Sequence, residues 1–386
     1  MTSFGGRRSL LRPTFLHLSG MAGLIGLATA LVNPFLSVFV TRELAVGPVR
    51  LAVFLLLTST AALAVSTALG WLSDVRLSRR SLLVAGSVAA ACAYGLFAVL
   101  RDYEWLLAVS MTLAAVGSTV IPQLFAQARE SLRDEGALAI SSLRMLFSVA
   151  WVVGPPVAAL LLDRAGFDGL FAVVAVVYVL TALLAVRIES ATPTPRERQE
   201  PRGSVFSANV VVATLAMVAL QTASTLGLLA LPLLITGELH ASMGTVGLTV
   251  GLAAALEIPL MPAFGALAGR IRHRWLVAGG AVAGIGYYAA VAVAEQTWLI
   301  MAAQLLSAVF VAAIMGVGIS FFQDIMPNRV GSATTLYSNT SKISAMVAGP
   351  LLGIAQVWGF RSVFTVSAAL CAVGLVLLVL PTASRA

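Results

Sequence analysis

Charge is scarce in this sequence. Of 386 residues, 10% are Asp, Glu, Lys or Arg, where a soluble domain carries about 25%. A water-soluble fold with so little polar surface would aggregate, so that class is excluded. Cysteine is nearly missing as well. Cys92 and Cys371 both lie inside apolar runs, which excludes a disulfide framework and a cysteine-built metal site. The three histidines, His17, His240 and His273, match no metal-ligand spacing. No nucleophile–base pair or ligand set falls at one depth of the chain, so neither a catalytic centre nor a cofactor is expected. Lysine occurs once, as Lys342, beside 23 arginines. Long polar stretches are missing too, with one exception near residues 188–206, so no soluble domain is expected.

Hydrophobic residues make up the rest of the picture, at 59% of the chain and a mean hydropathy of +0.97. A helix crosses a bilayer in about 20 apolar residues. Runs of that length fall near 13–40, 48–72, 81–100, 105–128, 137–162, 168–187, 207–236, 242–268, 275–294, 297–322, 331–356 and 361–381. The pattern predicts an all-α membrane protein with twelve transmembrane helices. The first run follows Arg7, Arg8 and Arg12 and is too long for the apolar region of a secretory signal.

The net charge of +8 is a topology signal, with no stripe of the kind that binds nucleic acid. About seventeen arginines sit at the N-terminus, in alternate loops such as Arg76, Arg79 and Arg80, and in the central stretch; about five sit in the loops between. Basic residues collect on the cytoplasmic side, which predicts both termini in the cytoplasm.

The polar stretch holds Glu189, Pro193, Pro195, Arg196, Glu197, Arg198, Glu200 and Pro201. Mixed charge with proline reads as a linker. It divides the chain into a half at 1–188, a linker at 189–206 and a half at 207–386. The halves align at an offset of 193–195 residues: Gly154-Pro155 answers Gly349-Pro350, Gly166-Phe167 answers Gly359-Phe360, and GWLSDVRLSRRSLLVAG answers GALAGRIRHRWLVAG. An ordered series at one offset is an internal repeat. Two repeated membrane halves imply a transporter whose substrate site lies between them, near mid-bilayer.

The loop from Gly70 to Arg80 resembles the loop signature between the second and third spans of the major facilitator superfamily. It departs from that pattern in a late arginine and a missing second glycine. Asp74 and Arg79 are its gate candidates; a charged loop that only sets topology is the alternative. Gly154-Pro155-Pro156 resembles the fifth-span Gly-Pro motif of exporters in that superfamily. Proline bends the helix and glycine permits close approach, which suits a leak-tight seam or an ordinary kink. The strings ALVNPFLSVFVTREL, IPQLFAQARE, SSLRMLFSVAWVVGPP, LEIPLM and FFQDIMPNRVGSATTLYSN together resemble the bacterial sugar efflux transporters of the superfamily. That resemblance implies the twelve-helix major facilitator fold with two six-helix halves. It implies export of sugars or glycosides in exchange for protons, in the bacterial cytoplasmic membrane, by a monomer. Lys342 departs from the family's pattern.

Charges inside spans cost on the order of 3 kcal/mol on insertion scales. Arg144, Glu257 and Lys342 are such charges, and they are the candidates for proton coupling and substrate contact; a structural ion pair is the alternative. Amides match a sugar's hydroxyls with two donors and an acceptor. The amide candidates are Asn33, Gln123, Gln221, Gln304 and Asn339. Trp151, two turns after Arg144, could stack on a sugar ring. Each could equally make a helix–helix contact. Two other functions compete: a proton-coupled multidrug exporter, and a membrane sensor or intramembrane enzyme. The second pair lacks an attached soluble domain or a catalytic set.

Overall fold

Serine or aspartate caps the start of four helices. Ser78, Asp102, Ser207 and Ser242 each accept a backbone N–H from the first turn of the helix that follows. Such caps satisfy donors that a helix start leaves without a partner. The computed structural model describes residues 13–75, 78–132, 136–188, 207–327 and 329–380. Among the described residues there are twelve long helices: α1 Pro13–Val32, α2 Pro48–Val75, α3 Arg79–Val99, α4 Tyr103–Ser131, α5 136–165, α6 167–186, α7 Ala208–Glu238, α8 Met243–Ala268, α9 His273–Val293, α10 Thr297–Ile325, α11 Val330–Gln356 and α12 Phe360–Val379. The expected linker at 189–206 lies outside the described residues.

Ten helical runs are long and apolar enough to cross a membrane. One of them, Ile140–Val186, has 47 residues and holds two spans, α5 and α6. These are divided at Gly166, whose φ of 62° is open to glycine at little cost. α11 has the length, 27 residues, but is more polar than the rest because Asn339, Thr340, Ser341 and Lys342 follow one another in it. Exposed tryptophans mark helix ends: Trp105 and Trp298 begin α4 and α10, Trp275 begins α9, and Trp358 follows α11. Tryptophan favours the boundary between lipid and water.

The repeat read from the sequence is present in the backbone. The φ of Gly359, 95°, ends α11 as that of Gly166 ends α5. Among the described residues two non-glycines have positive φ, Ala45 at 47° and His240 at 49°; they lie 195 positions apart, in the turns after α1 and α7. Each follows a wider π-type turn, Phe39–Glu43 and Leu234–Glu238, again 195 apart. A left-handed alanine costs about 1 kcal/mol, so its recurrence marks one turn built twice. Polar side-chain pairs recur likewise. Arg79, at the start of α3, meets Glu130, at the end of α4, at 2.8 Å; 194 residues on, His273 meets Asp324 at 2.5 Å.

By contacts the helices form two compact units. One is Met1–Phe39 with Leu57–Glu197; the other is Val40–Leu56 with Arg198–Ala386. In the first, Leu18, Met21 and Ile25 of α1 pack with Leu83, Val120, Leu124 and Leu143. Phe39, Tyr94, Phe97 and Phe171 form an aromatic cluster, with Phe39 and Phe171 edge to face at 4.7 Å. Arg101 lies over the Phe39 ring at 5.5 Å and pairs with Asp168. In the second unit, buried Tyr288 donates to the carbonyl of Ala223 at 2.8 Å and packs on Phe310 and Phe364.

Candidate functional site

In the first unit, α1 breaks where Pro34 supplies no N–H. The residues around it, 33–35, form a turn, and the Asn33 side chain is left exposed. Gln123 follows Pro122 in α4 and is 5% exposed, with an Oε1 that finds no hydrogen-bond partner among the described residues. Arg144 of α5 is exposed, and its guanidinium lies 5.9 Å from the Phe125 ring centre. A guanidinium is attracted electrostatically to the face of an aromatic ring at this distance. Trp151 is half-buried two turns further along α5.

Gly154 explains how α1 and α5 come together. A Cβ on Gly154 would lie 2.5 Å from the Ala30 methyl, and one on Gly26 would lie 3.0 Å from that of Ala150. Carbon atoms normally rest about 3.5–4.0 Å apart. The two helices therefore touch backbone to backbone at two glycines. Pro155 and Pro156 follow inside the helix and remove the donors that would bond to the carbonyls of Trp151 and Val152.

In the second unit, Gln221 of α7 is 2% exposed. Thr340 Oγ1 of α11 lies 3.2 Å from its Oε1 and 2.6 Å from the carbonyl of Tyr337. A hydroxyl has one proton, and the shorter contact claims it. Gln221 then serves Thr340 best with its amide turned so that Nε2 donates. In either orientation one end of this buried amide has no partner. Thr222, next in the chain, has a buried hydroxyl without a partner as well. Thr222 and Thr340 stand out only in the fold, because hydroxyls are common in spans; Thr222 adjoins Gln221 in the chain and Thr340 meets it across helices.

Glu257 is half-buried on α8 and, within its unit, makes no ion pair or hydrogen bond with a described residue. Pro259 and Pro262 follow it and free the carbonyls of Ala255 and Ile258. Asn339 is exposed and Lys342 half-buried on α11, three residues apart and so on one face.

Two candidates are placed elsewhere. Gln304 is 1% exposed, and its Nε2 lies 3.3 Å from the Tyr287 hydroxyl and 3.2 Å from the carbonyl of Ile300. It bridges α10 to α9, the helix–helix contact that was the alternative to a substrate contact at this position. Arg79 belongs to the α3–α4 brace with Glu130, a partner that sequence reasoning missed although its repeat fell at the same offset. The side chain of Asp74 lies outside the described residues. Gln123, Gln221 and Glu257 sit on helices of a doubled six-helix plan, and sequence similarity falls on both parts of it. Residues 18–229 and 213–386 both match the Major Facilitator Superfamily.

The chain belongs to the Major Facilitator Superfamily.

It is a multi-pass membrane transporter and not an enzyme. Among its relatives is sugar efflux transporter A of Dickeya chrysanthemi, 34% identical, with 91% of each chain covered. Another is sugar efflux transporter A of Escherichia coli, 33% identical, covering 92% of this chain and 93% of that one. A solved structure, the nucleoside transporter NupG, shares the superfamily fold with a TM-score of 0.74 at 14% identity, covering 95% of this chain and 97% of that one.

Proposed function

We propose that this superfamily member exports sugars or glycosides across the bacterial cytoplasmic membrane in exchange for protons. One observation carries the reading: the sugar exporters named above are 33–34% identical across about nine-tenths of the chain. The two six-helix halves, 1–188 and 207–386, alternate access to a site near mid-bilayer, and one chain supplies both halves, so the monomer is the working unit. Buried polar groups are normally satisfied, so an amide end without a partner calls for a ligand. Gln123 and Gln221 each offer such an end, and a sugar hydroxyl can donate or accept as required. Asn33, Arg144, Trp151, Asn339 and Lys342 add accessible polar and aromatic contacts. Glu257 carries the coupling proton, with Arg144 and Lys342 controlling its release. The close seam at Gly154, Pro155 and Pro156 keeps protons from leaking through the first half.

Purified protein in liposomes tests this. A radiolabelled sugar or glucoside should move against its gradient when a pH gradient is imposed, and stop when the gradient is collapsed. Movement of lipophilic cations with no movement of any sugar would replace the reading with drug export. The arginine bias further supports both termini lying in the cytoplasm. A cysteine added after Ala386 should react with an impermeant maleimide only once cells are opened; reaction in intact cells would reverse the topology.

A further inference from the structure

A groove of about 780 Å³ runs along α3 in the first unit. Its walls are apolar and small: Val88 and Cys92 of α3, Leu113 of α4 and Val186 of α6 among them. Val88 and Val186 are 47% and 49% exposed, so helix packing does not cover it. Its one charged lining residue is Arg80, joined by Ser81 at the same end. Arg79, the neighbouring arginine, is held by Glu130, whereas Arg80 makes no ion pair or hydrogen bond with a described residue. Arg187, exposed, follows Val186 and adds a second positive charge to that end. Among the described residues no carboxylate lines the groove.

The dimensions point to a lipid. Arg80 and Cys92 are twelve residues apart on one helix, about 18 Å at 1.5 Å per residue. One leaflet of the hydrocarbon core is about 15 Å deep, half of roughly 30 Å. The groove thus spans one leaflet, with a cation where the headgroup lies and apolar walls where an acyl chain lies. A zwitterionic headgroup would bring its own cation to Arg80; an anionic one would not. Basic residues at the cytoplasmic ends of spans favour anionic lipid. We propose that this groove binds one anionic phospholipid of the cytoplasmic leaflet, its phosphate on Arg80 and an acyl chain along Val88 and Cys92. The leaflet rests on the proposed topology; the chemistry of the groove does not.

The protein carries its own reporter. Cys92 is exposed in the groove, whereas Cys371 is fully buried. In detergent micelles, where topology plays no part, N-ethylmaleimide should label Cys92, and peptide mass spectrometry should show Cys371 unlabelled in folded protein. Phosphatidylglycerol should slow labelling of Cys92 about fivefold more than phosphatidylcholine does. Arg80→Gln should remove that difference, and Val88→Trp, which fills the groove, should slow labelling without any lipid. Inorganic phosphate should have no effect, because it cannot reach down to Cys92. Equal protection by the two lipids would overturn the proposal, as would a difference that survives Arg80→Gln. Protection that grows with protein concentration in the absence of lipid would assign the groove to a second copy of this chain. Labelled Cys371 in a variant would mark unfolding, and the more conservative Arg80→Lys, which should keep most of the preference, would then decide.

Discussion

Glu257→Gln is expected to stop sugar efflux driven by a pH gradient while leaving sugar-for-sugar exchange intact. A carboxyl in the middle of a span costs on the order of 3 kcal/mol as an ion on insertion scales, so it is retained for a partner or for a task. Within its unit Glu257 makes no ion pair or hydrogen bond with a described residue, and two prolines behind it leave two backbone carbonyls without their helical donors. A carboxyl so placed can take up and release a proton without breaking a bond that holds the fold. Glutamine keeps the shape and the polar atoms and fixes the neutral state. In liposomes the variant should show gradient-driven flux no higher than protein-free vesicles, with exchange of labelled for unlabelled sugar at the wild-type rate. Flux that still follows the pH gradient would take the coupling role away from Glu257. Loss of both activities would instead make it a substrate contact.

At the seam of α1 and α5 a single methyl should decide stability. Alanine normally favours a helix over glycine by about 1 kcal/mol. At Gly154 that gain meets a Cβ placed 2.5 Å from the Ala30 methyl, which is fixed to its own backbone and cannot swing away. The helices must part by about 1 Å, and overpacking of this kind costs about 1–3 kcal/mol. The clash should win: Gly154→Ala is expected to lower the melting temperature of the detergent-solubilised protein, and Gly154→Leu to leave no folded peak on size exclusion. Gly279 is the control, since nothing lies within 4 Å of a Cβ built there. Gly279→Ala should be neutral or stabilising. If the two alanine variants melt together, α1 and α5 are not held in this contact.

Much of this architecture was legible in the sequence, because a bilayer imposes a simple rule. Every backbone polar group must be satisfied within the span, so apolar runs of sufficient length become helices wherever they fall. The run at 331–356 is long enough to read as a span, even though Asn339 and Lys342 make α11 more polar than the rest. The repeat itself survived in details that no composition reveals: Ala45 and His240 adopt the same left-handed turn with unlike side chains.

Side-chain partners were another matter. Gln304 and Gln221 look alike in sequence, each an amide near mid-span. One is bound to Tyr287 and helix packing, while the other is left with an end that lacks a partner. Arg79 lies in a loop that resembles a gate signature, and its geometry adds a brace with Glu130. The two Gly-Pro pairs diverge most. Gly154 faces Ala30 of α1, whereas its equivalent Gly349 faces Leu55 of α2.

The sequence by itself determined the membrane environment, the helix count and the doubling, since these depend on the length and order of apolar runs, which are one-dimensional properties. Tertiary structure decided which face of each helix meets which neighbour. A glycine's task and an amide's partner follow from that choice, because close packing and hydrogen bonding act over a few ångströms between residues on different helices.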